Sequence, residues 1–591
     1  MSLSYHAPLD EMRFTLYEVF KASQFWQNTP SLSHMDADTV DMVLQEMAKF
    51  SREVLLPINQ SGDNEGAKYL GRGRVETPMG FGQAFRSYAE MGWIGLGGCE
   101  SFGGQGMPKM ITMLTEEMMF SVNQSFALYP NLTVGASLCL LASGSEEQKN
   151  VYLPKLYTGE WSGTMCLTES HAGTDLGIIK TRATPNEDGS YNITGTKIFI
   201  TGGEHDLTEN IVHLVLAKTP NAPAGTKGIS LFIVPKFLVN ADGSLGERNA
   251  VTCGSIEHKM GIKASATCVM NFDDAKGYMV GEQNTGLATM FVMMNYERVT
   301  MGLQGLGASV LAYQNACQYA KERLQGRNDA GVQNTDKVAD AIIGFGDVRR
   351  MLLNAKCNSV ASRTFAMYVA RELDIAKFSD DTQMRAAANA KIALLTPIAK
   401  AFLTDMAFEA VVGCQQVFGG HGYIKEWGME QIVRDTRISQ IYEGTNGIQA
   451  LDLLGRKVIK NQAMTLLSFI DEVLDACQAD TNHAIKDATI KAAKRVRSLT
   501  EHLLSATKQD THLINTSAVD YLHAVGYLCY AYMYLLIVQA CDGQSGEFYD
   551  ERRKLADYFV LRMLPKLYAH ADMAQASASS VMAFDDDFFS R

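Results

Sequence analysis

A lone carboxylate, Glu443, is the residue of this chain that is best placed to act as a base. It lies in the otherwise uncharged segment Gln440–Gln449, between apolar neighbours and a flexible Gly-Thr step. Burial disfavours the ionised form of a carboxylate, so it raises the pKa towards the range in which the group removes protons usefully. The alternative is a glutamate in a solvated turn after a helix.

Two further segments carry groups that suit a planar or phosphorylated ligand. In Met165–Asp175, small and hydroxyl-bearing residues around Gly173 offer backbone N–H groups and hydroxyls. In Lys197–Gly203, strand alternation puts Phe199 and Thr201 on one face, where an aromatic ring beside a hydroxyl suits a flat ring with a polar edge. A turn or cap and an ordinary core are the alternatives for these two segments.

The familiar nucleotide-binding signatures are missing from the sequence. There is no G-x-x-x-x-G-K-[ST] motif, and the nearest approach to G-x-G-x-x-G is Gly305–Val310, which fails at its last position. That segment lies in a helical pattern rather than after a strand, so it predicts close helix packing. A dinucleotide would have to be held in another way.

Composition limits the compartment and the partners. With 591 residues the chain exceeds one hydrophobic core, and about two to four domains are expected. The net charge of -12 argues against a broad nucleic-acid surface, although a local basic cluster can still bind an anion. Eleven dispersed cysteines without a C-x-x-C pair predict no metal site and no disulfide framework, and they indicate a reducing cytoplasm.

The N-terminal residues do not resemble a signal peptide, and the longest apolar stretch does not resemble a membrane span. Met1–His6 lacks the basic start and apolar core of a signal peptide. The longest apolar stretch, Val525–Ala540, is short for a membrane span and predicts a buried helix of a bundle. We therefore expect no stable membrane span, with membrane contact as the minor alternative.

Hydrophobic periodicity divides the chain into four predicted domains and gives an α+β, mostly α, fold class. Residues 1–160 form an N-terminal helical domain, and residues 161–280 form a middle antiparallel β domain marked by turns at Asp188-Gly189 and Asp242-Gly243. Residues 281–456 form a helical bundle, and residues 457–591 form an additional helical domain with an acidic tail. The predicted helices and strands are Glu11–Lys21, Asp36–Phe50, Gly82–Met91, Tyr191–Thr194, Lys197–Thr201, Asn210–Lys218, Ile229–Val234, Leu287–Lys321, Asp336–Val369 and Gln383–Val412.

Four ordered motifs resemble the acyl-CoA dehydrogenase family over about residues 60–455. The family pattern C-x-T-E-x-x-A-G-S-D is met from Cys166 to Asp175, with Thr174 in place of Ser, and K-x-[WF]-I-T-[NG]-G is met from Lys197 to Gly203. The pattern Q-x-x-G-G-x-G-[FY] is met from Gln416 to Tyr423, and Y-E-G-T from Tyr442 to Thr445. The ends resemble a long bacterial subgroup that includes enzymes for fatty acyl-CoA and for 3-methylmercaptopropionyl-CoA.

The resemblance implies that the bundle at residues 281–456 is a four-helix bundle. It also implies FAD-dependent α,β-dehydrogenation of an acyl-CoA to a trans-2-enoyl-CoA, with electrons passed to an electron-transfer flavoprotein. A 3-methylmercaptopropionyl-CoA dehydrogenase, or an acyl-CoA oxidase that uses oxygen, is the near alternative. A flavin monooxygenase or nitroalkane-oxidising relative, and a non-catalytic helical scaffold, are the more distant ones. The predicted setting is cytoplasmic.

The resemblance also implies a role for each motif residue. Glu443 removes the α-proton, and Glu297 is the second candidate because some members use a glutamate at that position instead. If Glu297 is not the base, local pairing with Arg298 is expected. The residues implied in FAD binding are Cys166, Leu167, Thr168, Thr174, Phe199, Thr201, Arg323, Gln416, Gly420 and Thr445. Those implied in substrate binding are Thr174, Asn295, Arg298, Tyr442 and Gly444. Gln416 and Gly420 would contact the FAD of a neighbouring subunit, which implies a homodimer or a higher homo-oligomer.

Overall fold

The structure, a computed structural model, describes residues 3–240 and 242–591. Met1 and Ser2, on which part of the signal-peptide prediction rests, lie outside the described residues. The chain forms two compact units: the chain up to Glu46 together with Arg298–Arg591 is one, and Met47–Glu297 is the other. These units divide the chain at a coarser level than the four predicted domains, whose boundaries stay a prediction.

The N-terminal part of the chain is helical, as its periodicity predicts. Its helices are α1 Leu9–Arg13, α2 Ala22–Gln27, α3 Ala37–Phe50, α4 Asn59–Glu65, α5 Phe81–Glu90, α6 Lys109–Val122, α7 Gln124–Ser143 and α8 Glu146–Tyr157. Helix α8 begins with a capping box, since Ser145 Oγ accepts from Gln148 N at 3.1 Å and Gln148 Oε1 accepts from Ser145 N at 3.0 Å. The predicted first helix, Glu11–Lys21, changes type along its length. Its start belongs to α1, and the chain then continues as a π-helix, Phe14–Val19.

Most of the strands form one seven-stranded sheet. The strands are β1 Lys68–Gly71, β2 Arg74–Glu76, β3 Trp161–Cys166, β4 Arg182–Pro185, β5 Tyr191–Thr201, β6 Asn210–Lys218, β7 Ile229–Pro235, β8 Phe237–Val239, β9 Leu245–Arg248, β10 Val251–Ile256 and β11 Thr267–Val280. The sheet runs in the order β10-β11-β5-β4-β6-β3, and β7 pairs with both β11 and β6. The pairings therefore close part of the sheet on itself, around a core that includes Ile193, Val215 and Phe232.

The sheet is mostly antiparallel, as expected, but β6 has parallel pairings with β3 and, at Arg182 opposite Lys218, with β4. Strand β3 runs parallel to β6, from Trp161 opposite Asn210 to Cys166 opposite Val215. Parallel neighbours need a long crossover, and the chain between these strands supplies one by forming β4 and β5 on the way. Strand β5 joins the two predicted strands 191–194 and 197–201 into a single element.

The remaining chain is helical to its end. Its helices are α9 Gly286–Glu322, α10 Gly346–Phe378, α11 Thr382–Val417, α12 Met429–Arg437, α13 Asn446–Leu451, α14 Met464–Ala476, α15 Ala484–Ala506, α16 His512–Cys541, α17 Glu547–Tyr558, α18 Pro565–Ala574 and α19 Ser579–Met582. A Cβ placed on Gly305 of α9 would lie 2.9 Å from Ala407 Cβ of α11, which confirms the predicted close helix packing at this glycine.

The predicted start of the helix Asp336–Val369 is wrong. Helix α10 starts at Gly346, and the segment before it is a loop held by the side chain of Asp340. This carboxylate accepts hydrogen bonds from the backbone N–H groups of Asn328 at 3.0 Å and Gln333 at 3.1 Å, and from Arg327 Nη1 at 3.2 Å. A side-chain carboxylate that accepts hydrogen bonds from nearby backbone N–H groups competes with helix formation. Here the loop before Gly346 forms in place of a helix.

Three helices of the described chain are long and apolar enough to cross a membrane by length and composition: α7, α11 and α16. In the structure 78%, 67% and 83% of their most apolar windows are buried inside the protein. The predicted buried stretch Val525–Ala540 lies within α16, and most of its side chains are buried.

Candidate functional site

Glu443 lies in a turn whose backbone is held in an unusual conformation. Its φ is +56°, in the left-handed region, and the φ of Gly444 is +83°. A left-handed conformation costs a non-glycine residue about 1–2 kcal/mol, so surrounding contacts must hold it in place. Gln449 Nε2 donates to the carbonyl oxygens of Glu443 at 3.1 Å and of Gly444 at 3.4 Å, and the Tyr442 hydroxyl donates to Gln304 Oε1 at 2.6 Å. These bonds fix the turn that carries the carboxylate.

Two cationic side chains share the surroundings of Glu443. Burial raises the pKa of Glu443, while the positive charges of Arg298 and Lys400 act to lower it. Lys400 is fully buried, and burial lowers its pKa to about 7 although Glu443 and Asp405 act to raise it. Burial also lowers the pKa of Arg298, against the attraction of Asp452 and Glu443. The carboxylate is therefore more basic than an exposed glutamate, yet has cations near it when it is ionised.

Glu297, the second candidate base, lies in the other compact unit and is only 1% exposed. Its carboxylate packs against α7, because a Cβ placed on Gly135 would lie 2.7 Å from Glu297 Oε1. The neighbouring Tyr296 hydroxyl donates to Glu116 Oε1 at 3.0 Å, so this turn of α9 is tied to α6. Asn295, implied in substrate binding, is exposed.

The compact unit Met47–Glu297, called the sheet unit below, brings together two of the predicted flavin segments. Ile198 N donates to the carbonyl oxygen of Thr168 at 2.9 Å, so the chain after β3 lies beside the end of β5. Phe199 has a φ of +59° and is 58% exposed, which is unusual for a large apolar residue at a strand end. Thr168 and Thr201 are both partly exposed. Thr201 lies two residues after Phe199, and Thr168 is bonded to the residue before Phe199. An exposed aromatic ring in a segment with two partly exposed threonines fits the flat, polar-edged ring of a flavin.

The other predicted flavin residues of this unit differ in accessibility. The side chains of Cys166 and Leu167 are buried, so these residues could contact a ligand through their backbone only. Thr174 is exposed, in the turn between β3 and β4. The structure therefore leaves Thr174 available to a ligand and assigns Cys166 to the core.

A buried ion pair lies under these segments. Lys197 Nζ is 2.9 Å from Glu169 Oε1, and it also donates to the carbonyl oxygen of Leu167 at 3.0 Å. Burial acts to raise the pKa of Glu169, but Lys197 and hydrogen bonds from Thr181 and Lys180 outweigh it and lower the pKa to about 2. Glu169 of the first motif thus supports the turn and is not oriented as a base.

The glycine loop after α11 is anchored by stacked rings. Tyr319 stacks on Phe418 with centroids 4.3 Å apart, and its hydroxyl lies 2.8 Å from His421 Nδ1. His421 in turn stacks on Trp427 at 4.5 Å. This loop is therefore a rigid support for the residues that follow α11.

The residues predicted to contact FAD phosphates and a neighbouring subunit lie on the surface of the unit that contains Arg298–Arg591. Arg323, Gln416 and Gly420 are exposed, and Tyr423 is 84% exposed. A Cβ placed on Gly420 would meet no other atom of the described chain within 4 Å. Thr445, at the start of α13, is also exposed. These residues are free to contact a ligand or another subunit.

Lys400 is the residue near Glu443 that the motifs did not reveal. Its Nζ donates to Asn446 Oδ1 at 2.7 Å, and so connects α11 to the residue that follows Thr445. A signal exists in the sequence, because a single lysine interrupts the apolar run Ile398–Leu403. Lysine is rarely fully buried, and a lysine in such a run indicates a specific partner.

Comparisons with known proteins match acyl-CoA dehydrogenase domains between residues 37 and 458 and a further C-terminal family after them. The acyl-CoA dehydrogenase N-terminal domain family matches residues 37–160, the middle domain family residues 164–275 and the C-terminal domain family residues 284–458. The acetyl-CoA dehydrogenase C-terminal like family matches residues 469–585.

Individual relatives agree with these matches. The chain is 38% identical to 3-methylmercaptopropionyl-CoA dehydrogenase of Ruegeria pomeroyi, over 98% of this chain and 99% of that protein. It is 31% identical to the broad-specificity linear acyl-CoA dehydrogenase FadE5 of Mycobacterium tuberculosis, over 99% of this chain and 100% of that protein. An acyl-CoA dehydrogenase of Bacillus anthracis, solved in complex with FAD, has a TM-score of 0.75 at 24% identity, over 91% of this chain and 88% of that one, which shows the shared fold. The chain therefore belongs to the acyl-CoA dehydrogenase family, and it is an FAD-dependent oxidoreductase that acts on CH–CH bonds.

Proposed function

We propose that the enzyme converts a saturated acyl-CoA to its trans-2-enoyl-CoA, with Glu443 as the base that removes the α-proton. The observation that supports this role is the combination of a raised pKa, a fixed left-handed turn and two nearby cations at Glu443. A base of this kind accepts a proton more readily than an exposed glutamate. Arg298 and Lys400 stabilise its ionised form before the proton is transferred.

The residues of this chain divide the chemical work. Bound FAD supplies the acceptor for the β-hydride. Glu443 takes the α-proton, and its backbone N–H stabilises the negative charge that develops on the thioester oxygen. Glu443 is half-buried, so a bound acyl-CoA would exclude the remaining water and keep the basicity of the carboxylate high. Thr174, Asn295, Arg298, Tyr442 and Gly444 are proposed to position the substrate.

The cofactor contacts are proposed from the residues that remain accessible. Phe199 would lie against the flavin ring, and the hydroxyls of Thr168 and Thr201 would bond its polar edge. Arg323 would bind the FAD phosphates. Gln416 and Gly420 would contact the cofactor of a neighbouring subunit, so we propose a homodimer or a higher homo-oligomer in the cytoplasm.

The substrate is proposed to be either a linear acyl-CoA or 3-methylmercaptopropionyl-CoA. The relative at 38% identity is named for the second, and the relative at 31% identity is named for the first. The test is anaerobic flavin bleaching with 3-methylmercaptopropionyl-CoA, butyryl-CoA, octanoyl-CoA and palmitoyl-CoA. Bleaching by at least one of them supports the proposed reaction, and a protein that none of them bleaches would contradict it.

Electron-transfer flavoprotein is the proposed electron acceptor. We expect turnover in air to be slow without it and to release little peroxide relative to enoyl-CoA formed. One peroxide for each enoyl-CoA would identify an acyl-CoA oxidase instead.

Replacement of Lys400 is expected to change the pH dependence of flavin reduction. Its positive charge lowers the pKa of Glu443, so in Lys400→Met that pKa rises and the acid limb of the pH–rate profile moves to higher pH. The pKa of Lys400 is about 7, so Lys400 carries this charge below that pH. The profile is measured by stopped-flow bleaching. Lys391→Met, on the same helix but paired with Glu372 and Glu472, is the control that should leave the profile unchanged.

A further inference from the structure

We propose that His523, on helix α16, is a positioning residue for the Glu443 turn and acts through the carboxylate of Asp405. The proposal rests on the assignment of Glu443 as the base. It gives the additional C-terminal helices a direct part in the reaction, which none of the four motifs indicates.

The first step of the argument is the clamp that Asp405 forms on the turn. Asp405 Oδ1 accepts from Gln440 Nε2 at 2.7 Å and from Asn446 Nδ2 at 2.7 Å. Gln440 lies three residues before Glu443, and Asn446 lies three residues after it. One carboxylate oxygen therefore joins the two ends of the turn that carries the base.

The second step connects the clamp to the charge beside the base. Asn446 Oδ1 accepts from Lys400 Nζ at 2.7 Å, and Asn446 Nδ2 also donates to Thr404 Oγ1 at 2.9 Å. The orientation of the Asn446 amide thus depends on Asp405 at one end and sets the position of Lys400 at the other. A displaced Asp405 would move both the turn and the cation that faces Glu443.

The third step is the contact from α16. His523 Nε2 lies 3.0 Å from Asp405 Oδ2, the oxygen that the turn does not use. Burial acts to raise the pKa of Asp405, but the bonds from His523, Gln440 and Asn446 outweigh it and hold the pKa below its usual range. The carboxylate therefore stays ionised and accepts from all three donors.

The ring of His523 is itself fixed. It lies edge-on to Phe402 with centroids 5.6 Å apart and 4.8 Å from the ring of His570 on α18. His570 Nδ1 lies 2.8 Å from Asp520 Oδ1, so a second carboxylate holds the second ring. Within the described part of the chain, the buried His523 Nδ1 has no hydrogen-bond partner. A neutral ring with its proton on Nε2 leaves no buried donor unpaired, and this tautomer donates to Asp405.

The experiment separates positioning from simple helix packing. His523→Phe keeps an aromatic ring in the space and removes the donor, and His523→Gln keeps an N–H that can reach Asp405. We expect the rate constant of flavin reduction in His523→Phe to fall about ten- to a hundredfold, with unchanged FAD content and an unchanged KM for the acyl-CoA that bleaches the wild type fastest. His523→Gln should recover most of the rate.

A matched control and a second variant complete the test. Lys566→Met removes the Lys566–Glu409 ion pair, which also joins the C-terminal helices to α11 but lies outside the clamp, and it should react like the wild type. If His523→Phe does not fold, the isosteric Asp405→Asn tests the same clamp and should show the same loss of rate. The proposal is overturned if His523→Phe, or Asp405→Asn in its place, reduces its flavin as fast as Lys566→Met. It is also overturned if His523→Gln reacts no faster than His523→Phe.

Failure of the proposed function gives a different result. Glu443→Gln is measured in the same series. Wild-type bleaching in that variant removes the base assignment, whereas an inactive Glu443→Gln beside a fully active His523→Phe rejects only the role of His523.

Discussion

Glu443→Gln is expected to bind FAD and acyl-CoA as the wild type does and to reduce its flavin about 10³- to 10⁴-fold more slowly. Glutamine keeps the size of the side chain and can still lie beside Arg298 and Lys400, but it cannot accept the α-proton. The left-handed turn at residue 443 is held by bonds to the backbone and to Tyr442, so the substitution should leave it intact. Stopped-flow bleaching under anaerobic conditions measures the rate, and titration with the acyl-CoA measures binding.

The control for this prediction is Glu297→Gln, which alters the other candidate carboxylate. Because Glu297 packs against α7 at Gly135, we expect this variant to lose stability more than rate. Rapid bleaching in Glu443→Gln together with slow bleaching in Glu297→Gln would transfer the role of base to Glu297.

Lys197→Met is expected to destabilise the sheet unit by about 3–5 kcal/mol, the usual cost of leaving one charge of a buried ion pair without its partner. Lys197 is fully buried, and Glu169 would keep its hydrogen bonds from Thr181 and Lys180 but lose its cation. The measurement is the midpoint of denaturant unfolding of the holoenzyme, followed by loss of flavin absorbance and by circular dichroism. We expect the FAD to be released together with unfolding, because Thr168 and Phe199 belong to the segments that this pair supports.

The double variant Lys197→Met, Glu169→Gln tests the cause of that loss. It removes both charges, so it should be more stable than Lys197→Met alone; equal or lower stability would show that the pair is not responsible. The pH dependence follows from the lowered pKa of Glu169, which is about 2 against an ordinary 4.5. The stabilisation by Glu169 is complete above pH 4.5 and is lost as the pH falls towards 2.

Motifs and periodicity predicted the family, the fold class and the flavin cofactor, and the comparisons confirm all three. They succeed because the flavin and base segments are short and continuous in sequence, as in Lys197–Gly203 and Tyr442–Thr445. Helical and strand periods also placed β6 at Asn210–Lys218 without error. The roles of the individual site residues stay predictions.

What the sequence did not reveal depends on contacts between distant segments. Asp405 and His523 are 118 positions apart, and neither lies in a motif, so only the packing of α16 on α11 brings them together. Lys400 was missed for the same reason, since its meaning depends on Asn446 at the start of α13. The false start of α10 at Asp336 arose because Asp340 bonds to loop backbone groups that a periodicity argument does not see.

Helix α16 also has a consequence for how the chain is made. Its most apolar part is 83% buried, and α18, which packs on it, comes later in the chain. Helices α11 and α15, which also pack on it, are made earlier, but the helix leaves the ribosome before the part of its covering surface that α18 supplies exists. In that interval it is the part of the C-terminal region most exposed to chaperones and to aggregation, and a chain terminated shortly after Cys541 would remain permanently in that state.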